Sequence, residues 1–382
     1  MNSVFSVVII YMSNFWKSTR RWLPGVLISL VAIAAILYKV DLRQTTQAIR
    51  SANYWLLLVV LGISLIWLGV RGLVWRTLLQ NKASYRDVFL TVSEGYLLNN
   101  VLPFRLGELG RAFLLGRKSD LGFMGILPSI VVERALDFAF AACLLIISVP
   151  FVVGASSKGT IAILIGGLMV LGLVVMFLLA RNSTWALGTF DRLTGRWPRL
   201  QKQGSSFLAP LFSGLAILTD SWLFLRALLW EALDWAISIC QFYLTLRAFF
   251  PHPQLVWVLF GLGMVALGNA VPSLPGAIGI FEAFLVGALT LVSGDQGTSL
   301  AVALVSHSFN YIVTGIIGAY ALSTEGETLM GIYRQLRKSQ VSLGGSPAEA
   351  DDGIHASGGE IAHSSDTISV ASPLGNDTEK KE

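Results

Sequence analysis

NVLPFRLGELGR at residues 100–111 and NAVPSLPGAIGI at residues 269–280 share one pattern, N-x-x-P-x-x-x-G-x-x-G, and each interrupts a long apolar stretch. The shared positions are Asn100, Pro103, Gly107 and Gly110 in the first segment, and Asn269, Pro272, Gly276 and Gly279 in the second. Proline removes a backbone donor and breaks a helix, while glycine permits tight turns and close packing. Broken backbone at membrane depth is tolerated only where it is buried in protein or lines a wet cavity. Such segments in both halves of a chain point to an inverted repeat around a central site.

The rest of the chain supplies the membrane. Of 382 residues, 54% are hydrophobic and 13% are charged, about half the ~25% charge of a soluble domain. The apolar residues form runs of about 20, separated by short basic connectors, which is the pattern of an all-α polytopic membrane protein. Full spans are expected at 23–38, 54–79, 124–153, 159–180, 223–246 and 299–322, with broken stretches at 88–118 and 255–293.

Lysine and arginine then set the orientation. The leader 1–22, the region 82–86, the end of the first broken stretch, the 181–222 connector and Arg334, Arg337 and Lys338 are basic, and are expected in the cytoplasm. The connections near 154–158, 248–254 and 294–298 are nearly free of such charge and are expected outside. The loop 39–53 departs from this with Lys39, Arg43 and Arg50. The assignment closes if each broken stretch enters and leaves on one side. That gives six full spans and two re-entrant hairpins of opposite orientation, the first entering from the cytoplasm. Both termini are then cytoplasmic, with the chain multi-pass in the cell inner (plasma) membrane.

The membrane domain is therefore 23–322. MNSVFSVVII at the start lacks a charged n-region and a cleavage site, and reads as a frayed or interfacial leader rather than a signal peptide. Residues 335–382 are rich in Ser, Gly, Asp and Glu and have the composition of a disordered tail. The net charge of +5 lies in topology-setting loops, so it is no nucleic-acid signal. Cys143 and Cys240 fall within apolar runs and are expected as small core residues. Trp22, Trp55, Trp222 and Trp257 sit near span ends, as an interfacial belt requires.

Charges inside such spans are costly, and mark functional sites when they face the protein interior. Arg105, Glu108 and Arg111 follow the first break at i, i+3 and i+6, the spacing of a ladder along one side of a helix. Two guanidinium groups beside a helix N-terminus suit a phosphate. Glu133, Arg134 and Asp137 lie in the next span. Glu282 follows the second break, and His307, Asn310, Tyr311 and Thr314 form a polar stripe in the last span. Glu231 and Asp234 are expected to snorkel near a helix end. No metal-ligand cluster, nucleotide loop or nucleophile motif occurs, so no cofactor, metal or enzymatic activity is expected.

LxNNVLPFRLGELGR, ERALD, PSLPGAIGIFE and SHSFNY, in this order over about residues 20–325, resemble the lysylphosphatidylglycerol synthase transmembrane region family, the flippase-like integral membrane proteins. The resemblance implies a lipid translocase acting on an anionic or lipid-phosphate-linked headgroup. It assigns the site to Arg105, Glu108, Arg111, Glu133, Arg134, Asp137 and Glu282, with His307 a looser match. About 60 residues follow the last span, so the aminoacyl transfer of two-domain relatives is not implied. The implied partners are membrane lipids, either phospholipid or polyprenyl phosphate. The alternative is a non-transporting subunit that presents a polyprenyl-linked or other lipid substrate to a glycosyltransferase or lipid-modifying enzyme.

Overall fold

A computed structural model describes residues 26–102, 105–153, 182–195, 220–271 and 273–326. Pro103, Pro272, the leader, the loop 154–158, the span 159–180, most of the 181–222 connector and the tail lie outside the described residues. All regular structure among the described residues is helical. In chain order the helices are α1 (Val26–Lys39), α2 (Leu42–Ser51), α3 (Tyr54–Leu78), α4 (Tyr85–Val101), α5 (Leu106–Lys118), α6 (Gly122–Val153), α7 (Ser183–Thr194), α8 (Ser221–Phe249), α9 (Leu255–Gly268), α10 (Ile280–Ser293) and α11 (Gln296–Thr324), with a 3₁₀ turn at Pro275–Ala277.

The starts of these helices are written in short polar side chains. Asp41, Asn53, Ser84, Asp220 and Asp295 each accept a hydrogen bond from a backbone N–H of the first turn of the helix that follows, as N-caps do. Asp41 thereby makes the loop 39–53 a ten-residue helix. Its basic residues Arg43 and Arg50 lie on an exposed amphipathic element, which explains why this segment departs from the loop-charge pattern.

Four segments are long and apolar enough to cross a membrane, by length and composition: α3, residues 122–152 of α6, Pro275–Ser293 and α11. In the third, left-handed backbone at Gly276 and Ala277 within the 3₁₀ turn, and at Gly279 just before α10, breaks the helix and leaves 14 regular residues. Helix α8 has 29 residues but carries Arg226, Glu231, Asp234 and Arg247. Outward-facing Leu58, Ile66, Ile147, Phe151 and Ile316 are each more than half exposed, the surface a bilayer would cover. Trp55 and Trp222 are exposed at the first turns of α3 and α8. Cys143 and Cys240 are exposed rather than in the core, because they sit on outward faces of α6 and α8 where lipid is the solvent.

Cross-contacts fix which ends lie together. The Asn53 N–H donates to the Ala248 carbonyl, and Gln44 bonds Asp295, so the starts of α3 and α11 and the end of α8 share one end of the bundle. At the other end Lys118, closing α5, pairs with Glu325, which caps α11. Hence α4 and α5 leave and return at one end, whereas α9 and α10 leave and return at the opposite one. With 17, 13, 14 and 14 residues, these arms are about 25, 20, 21 and 21 Å long, short of a ~30 Å hydrocarbon core. The two broken stretches are oppositely inserted hairpins, as the loop charges require.

The core has two main parts. One surrounds Trp75, Leu68, Leu115 and Leu136 and joins α3, α4, α5 and α6. The other surrounds Leu246, Leu285 and Leu289 and joins α8, α9, α10 and α11. Between them lie the hairpin tips.

Candidate functional site

The tips meet. Arg105 precedes α5 in left-handed backbone (φ 53°, ψ 36°), which costs a non-glycine residue about 1–2 kcal/mol. Its Nη1 donates to the Asn269 carbonyl of the second hairpin at 2.9 Å. Asn99 Oδ1 accepts from the Gly107 N–H at 2.9 Å and so holds the start of α5. Asn100 reaches Thr314 on α11 at 2.9 Å.

The matching sequence patterns do not fold alike. Gly107 lies within α5, where a Cβ would strike the Gly95 carbonyl and Asn99, so this glycine serves close helix packing. Its counterpart Gly276 has φ 66° and turns the chain against the Tyr311 ring. The second tip is tied further by Ser29, whose Oγ accepts from the Leu274 N–H at 3.0 Å. His307 Nε2 donates to the Gly276 carbonyl at 2.9 Å, and its Nδ1 faces Glu282 Oε1 at 2.5 Å. Glu282 Oε2 accepts from the Gly279 N–H at 2.7 Å. Because the Gly276 carbonyl can only accept, the imidazole and carboxyl share the proton between them.

A cavity of about 460 Å³ opens between the two tips. Beside it runs a charge network. Arg71 of α3 is 3% exposed and lies 2.5–3.3 Å from Asp137, Glu133, Asp234 and Glu231. Glu133 is also held by Arg111 at 3.1 Å and by Arg134 at 2.5 Å. Arg134 pairs with Asp137 at 3.0 Å and reaches Glu108 at 3.8 Å, and Arg105 Nε meets Glu108 at 3.4 Å. The guanidinium of Arg111 lies 4.7 Å from the Trp75 ring centroid, a cation–π contact. Removing one partner from buried pairs of this kind costs about 3–5 kcal/mol.

The sequence-predicted residues divide into two rows. Arg105, Arg134, Asp137, His307 and Asn310 line the cavity, as do Asn100, Asn269 and Gly276. Glu108, Arg111, Glu133 and Glu282 stand behind them. Arg111 is 4% exposed and engaged by Glu133, so it anchors α5 to α6 rather than facing the cavity. Arg105 is outside the helix, so the expected i, i+3, i+6 ladder reduces to the Arg105–Glu108 contact.

Three charges central to the network were not assigned to the site from sequence. Glu231 and Asp234 are 0% and 4% exposed and do not snorkel, because Glu231 lies ten residues into α8, about 15 Å from its start. Arg71 was visible as an arginine inside a span, and its rarity there was the available signal. Asp234, Arg71, Tyr96 and Asn99 also line the cavity.

Comparison with known proteins agrees with this architecture. The model of the family described as "Lysylphosphatidylglycerol synthase TM region" matches residues 22–318. Two curated relatives from Methanothermobacter thermautotrophicus (strain Delta H), each named UPF0104 membrane protein, are also similar. One is 23% identical over 325 residues, covering 80% of this chain and 95% of the relative. The other is 22% identical over 347 residues, covering 83% and 97%. The family match spans the hairpins, the cavity and the charge network, and this multi-pass membrane protein belongs to the lysylphosphatidylglycerol synthase TM region family.

Proposed function

We propose that the protein is a non-enzymatic lipid translocase of the plasma membrane, with cytoplasmic termini, that moves an anionic or phosphate-bearing headgroup between leaflets. One observation carries this reading: a cavity bordered by guanidinium groups lies where two oppositely inserted hairpins meet. Arg105 and Arg134 both border it, and their planar forks match phosphate oxygens. Arg105 is the better placed to receive an anion. Its side chain is 43% exposed and, among the described residues, its one carboxylate partner, Glu108, lies at 3.4 Å. At about 460 Å³ the cavity has the size of a small-ligand pocket. It suits a headgroup whose acyl chains stay in the bilayer.

Asn100, Asn269 and Asn310 line the same space and offer uncharged donors and acceptors to a polar headgroup. Translocation would then proceed by movement of one half against the other around the site.

The test is lipid movement in proteoliposomes, using headgroup-labelled phosphatidylglycerol and a polyprenyl phosphate, in wild type and the Arg105→Ala and Glu108→Gln variants. Wild type should expose inner-leaflet label to an external quencher, and Arg105→Ala should lose at least tenfold in rate while still folding. A wild type silent toward both lipids, with a potential and a pH gradient applied, refutes translocation. It would favour a subunit presenting lipid to a glycosyltransferase or lipid-modifying enzyme.

A further inference from the structure

The charge network is not balanced. It contains the guanidinium groups of Arg71, Arg105, Arg111 and Arg134, against the carboxyl groups of Glu108, Glu133, Asp137, Glu231 and Asp234. Among the described residues, four cations thus face five acids. The excess falls on the α8 side. Among the described residues, the ion pairs of Glu231 and Asp234 are both with Arg71, which also serves Glu133 and Asp137.

The local geometry identifies what makes up the difference. Nη1 of Arg71 lies 3.3 Å from Glu231 Oε1 and 3.2 Å from Asp234 Oδ2, so both carboxyl groups lean on one nitrogen of a guanidinium that also serves Glu133 and Asp137. Among the described residues the second oxygens, Glu231 Oε2 and Asp234 Oδ1, have no hydrogen-bond partner, and the two residues are 0% and 4% exposed. Carboxylates offer only acceptors, so a hydrogen on one of the two completes the pair. An isolated buried carboxylate would be far more costly than a protonated one. The pair also has access to solvent. Glu231 does not border the cavity, but Asp137 and Asp234 do.

We propose that Glu231 and Asp234, the latter at the cavity wall, form a proton-binding site whose occupancy is coupled to the headgroup in the cavity. The coupling rests on the translocase reading above. Its chemistry is a simple transfer: a hydronium ion in the cavity gives its proton to a carboxylate oxygen of the cluster, an O–H bond forms, and water leaves. An anionic headgroup that engages Arg105 and Arg134 draws their charge away from Glu108 and Asp137. The site then gains one negative charge, and uptake of one proton cancels it. Headgroup and proton therefore bind together and move in the same direction. The other groups around the pair are Arg71 of α3 and, across it, Glu133 and Asp137 of α6, with Arg111 of α5 and Arg134 of α6 behind these; Trp67 of α3 shares the cavity wall with Asp234. The Glu282–His307 pair stands across the cavity and holds its own proton.

Two measurements on the full chain in liposomes test this. The first is infrared spectroscopy at neutral pH in H₂O and D₂O. A protonated-carboxyl band should be present in wild type and should be lost in Glu231→Gln, whose amide supplies a hydrogen without the acid. Asp234→Asn is the second variant, and should shift the band without removing it. Absence of the band, or its persistence in Glu231→Gln, overturns the proton site whatever the lipid assay gives. The second measurement is translocation of labelled phosphatidylglycerol with and without an imposed pH gradient. The gradient should accelerate wild type about tenfold toward the alkaline side and leave Glu231→Gln unaffected. Equal wild-type rates overturn the coupling. A wild type that moves no lipid refutes the translocase reading and the coupling with it, while the band still decides the proton site.

Discussion

Replacing Arg71 with methionine keeps an unbranched apolar stem and removes the one charge shared by four carboxyl groups. The consequences differ among them. Glu133 keeps Arg111 and Arg134, and Asp137 keeps Arg134. Glu231 and Asp234 lose the guanidinium that lies 3.3 and 3.2 Å away. Breaking a buried ion pair from one side costs about 3–5 kcal/mol, because the remaining charge is left unneutralised. One such loss is the lower bound for Arg71→Met and two set the upper bound, since proton uptake caps what a buried carboxylate can cost. Against a typical stability of ~5–15 kcal/mol, the variant should be severely destabilised in detergent. The informative experiment is a set of unfolding curves for wild type, Arg71→Met, and the triple variant Arg71→Met/Glu231→Gln/Asp234→Asn. Removing the two orphaned charges should recover most of the loss, because an ion cluster replaced as a unit is often neutral in stability. If Arg71→Met melts with wild type, or if the triple variant is no better than the single one, Arg71 does not neutralise these acids.

Three other outcomes follow from the hairpins. Gly107→Ala should destabilise by about 1–3 kcal/mol, because its Cβ would meet the Gly95 carbonyl, which is backbone and cannot turn aside; Gly62→Ala, with nothing within 4 Å, should leave unfolding unchanged or gain about 1 kcal/mol, and equal behaviour of the two variants would refute the packing argument. Arg105→Gly should relieve left-handed strain and raise stability by about 1 kcal/mol while abolishing lipid movement, so a loss of stability in unfolding experiments would show that the contact with Asn269 outweighs the strain. In a background without Cys143 and Cys240, Gln44→Cys should react with an impermeant maleimide from one side of the membrane and Lys82→Cys from the other; labelling from the same side would refute the opposed hairpins.

What could be read in the chain beforehand depended on how many residues carried the signal. Spans are legible because about twenty apolar residues must agree, and 54–79 and 299–322 agree within three residues with α3 and α11. The hairpins were legible because loop charges at both ends of each broken stretch constrain the same answer. Helix α2 was not, because ten residues with a single Asp41 cap carry no membrane-length pattern. Within the site, Glu133, Arg134 and Asp137 were legible since their partners lie one turn away. Arg71 and Glu231 are 160 residues apart, and no local spacing announces such a pair. The glycine motif misled in one respect. Equal spacing suggested equal local structure, but left-handed backbone falls on Arg105 in one hairpin and on Gly276, Ala277 and Gly279 in the other.

That difference gives the two halves different work. The first tip presents charge: Arg105 stands in strained backbone at the cavity, where Arg134 also borders it, with Glu108 behind them. The second tip presents a turn whose polar groups are internally satisfied, with His307, Glu282 and the Gly276 and Gly279 backbone bonded to one another. On the proposed reading, the charge of an anion at the meeting point is met by the first half, and the second half bounds it with uncharged groups. Recognition is thus insensitive to small displacements of the second tip, but depends on the Arg105–Asn269 contact that registers the two. At the end of the bundle where the first hairpin enters, Lys118 ties α5 to Glu325 and lies 3.7 Å from Glu94 of α4. Opening toward that end requires this partly exposed pairing to part, and exposed ion pairs of this kind are worth only about 0–1 kcal/mol. The buried network around Arg71 costs several times more to separate. Movement of one half against the other should therefore pivot on α3, α6 and α8, where the charges are locked, and part at the Lys118 end, where they are not.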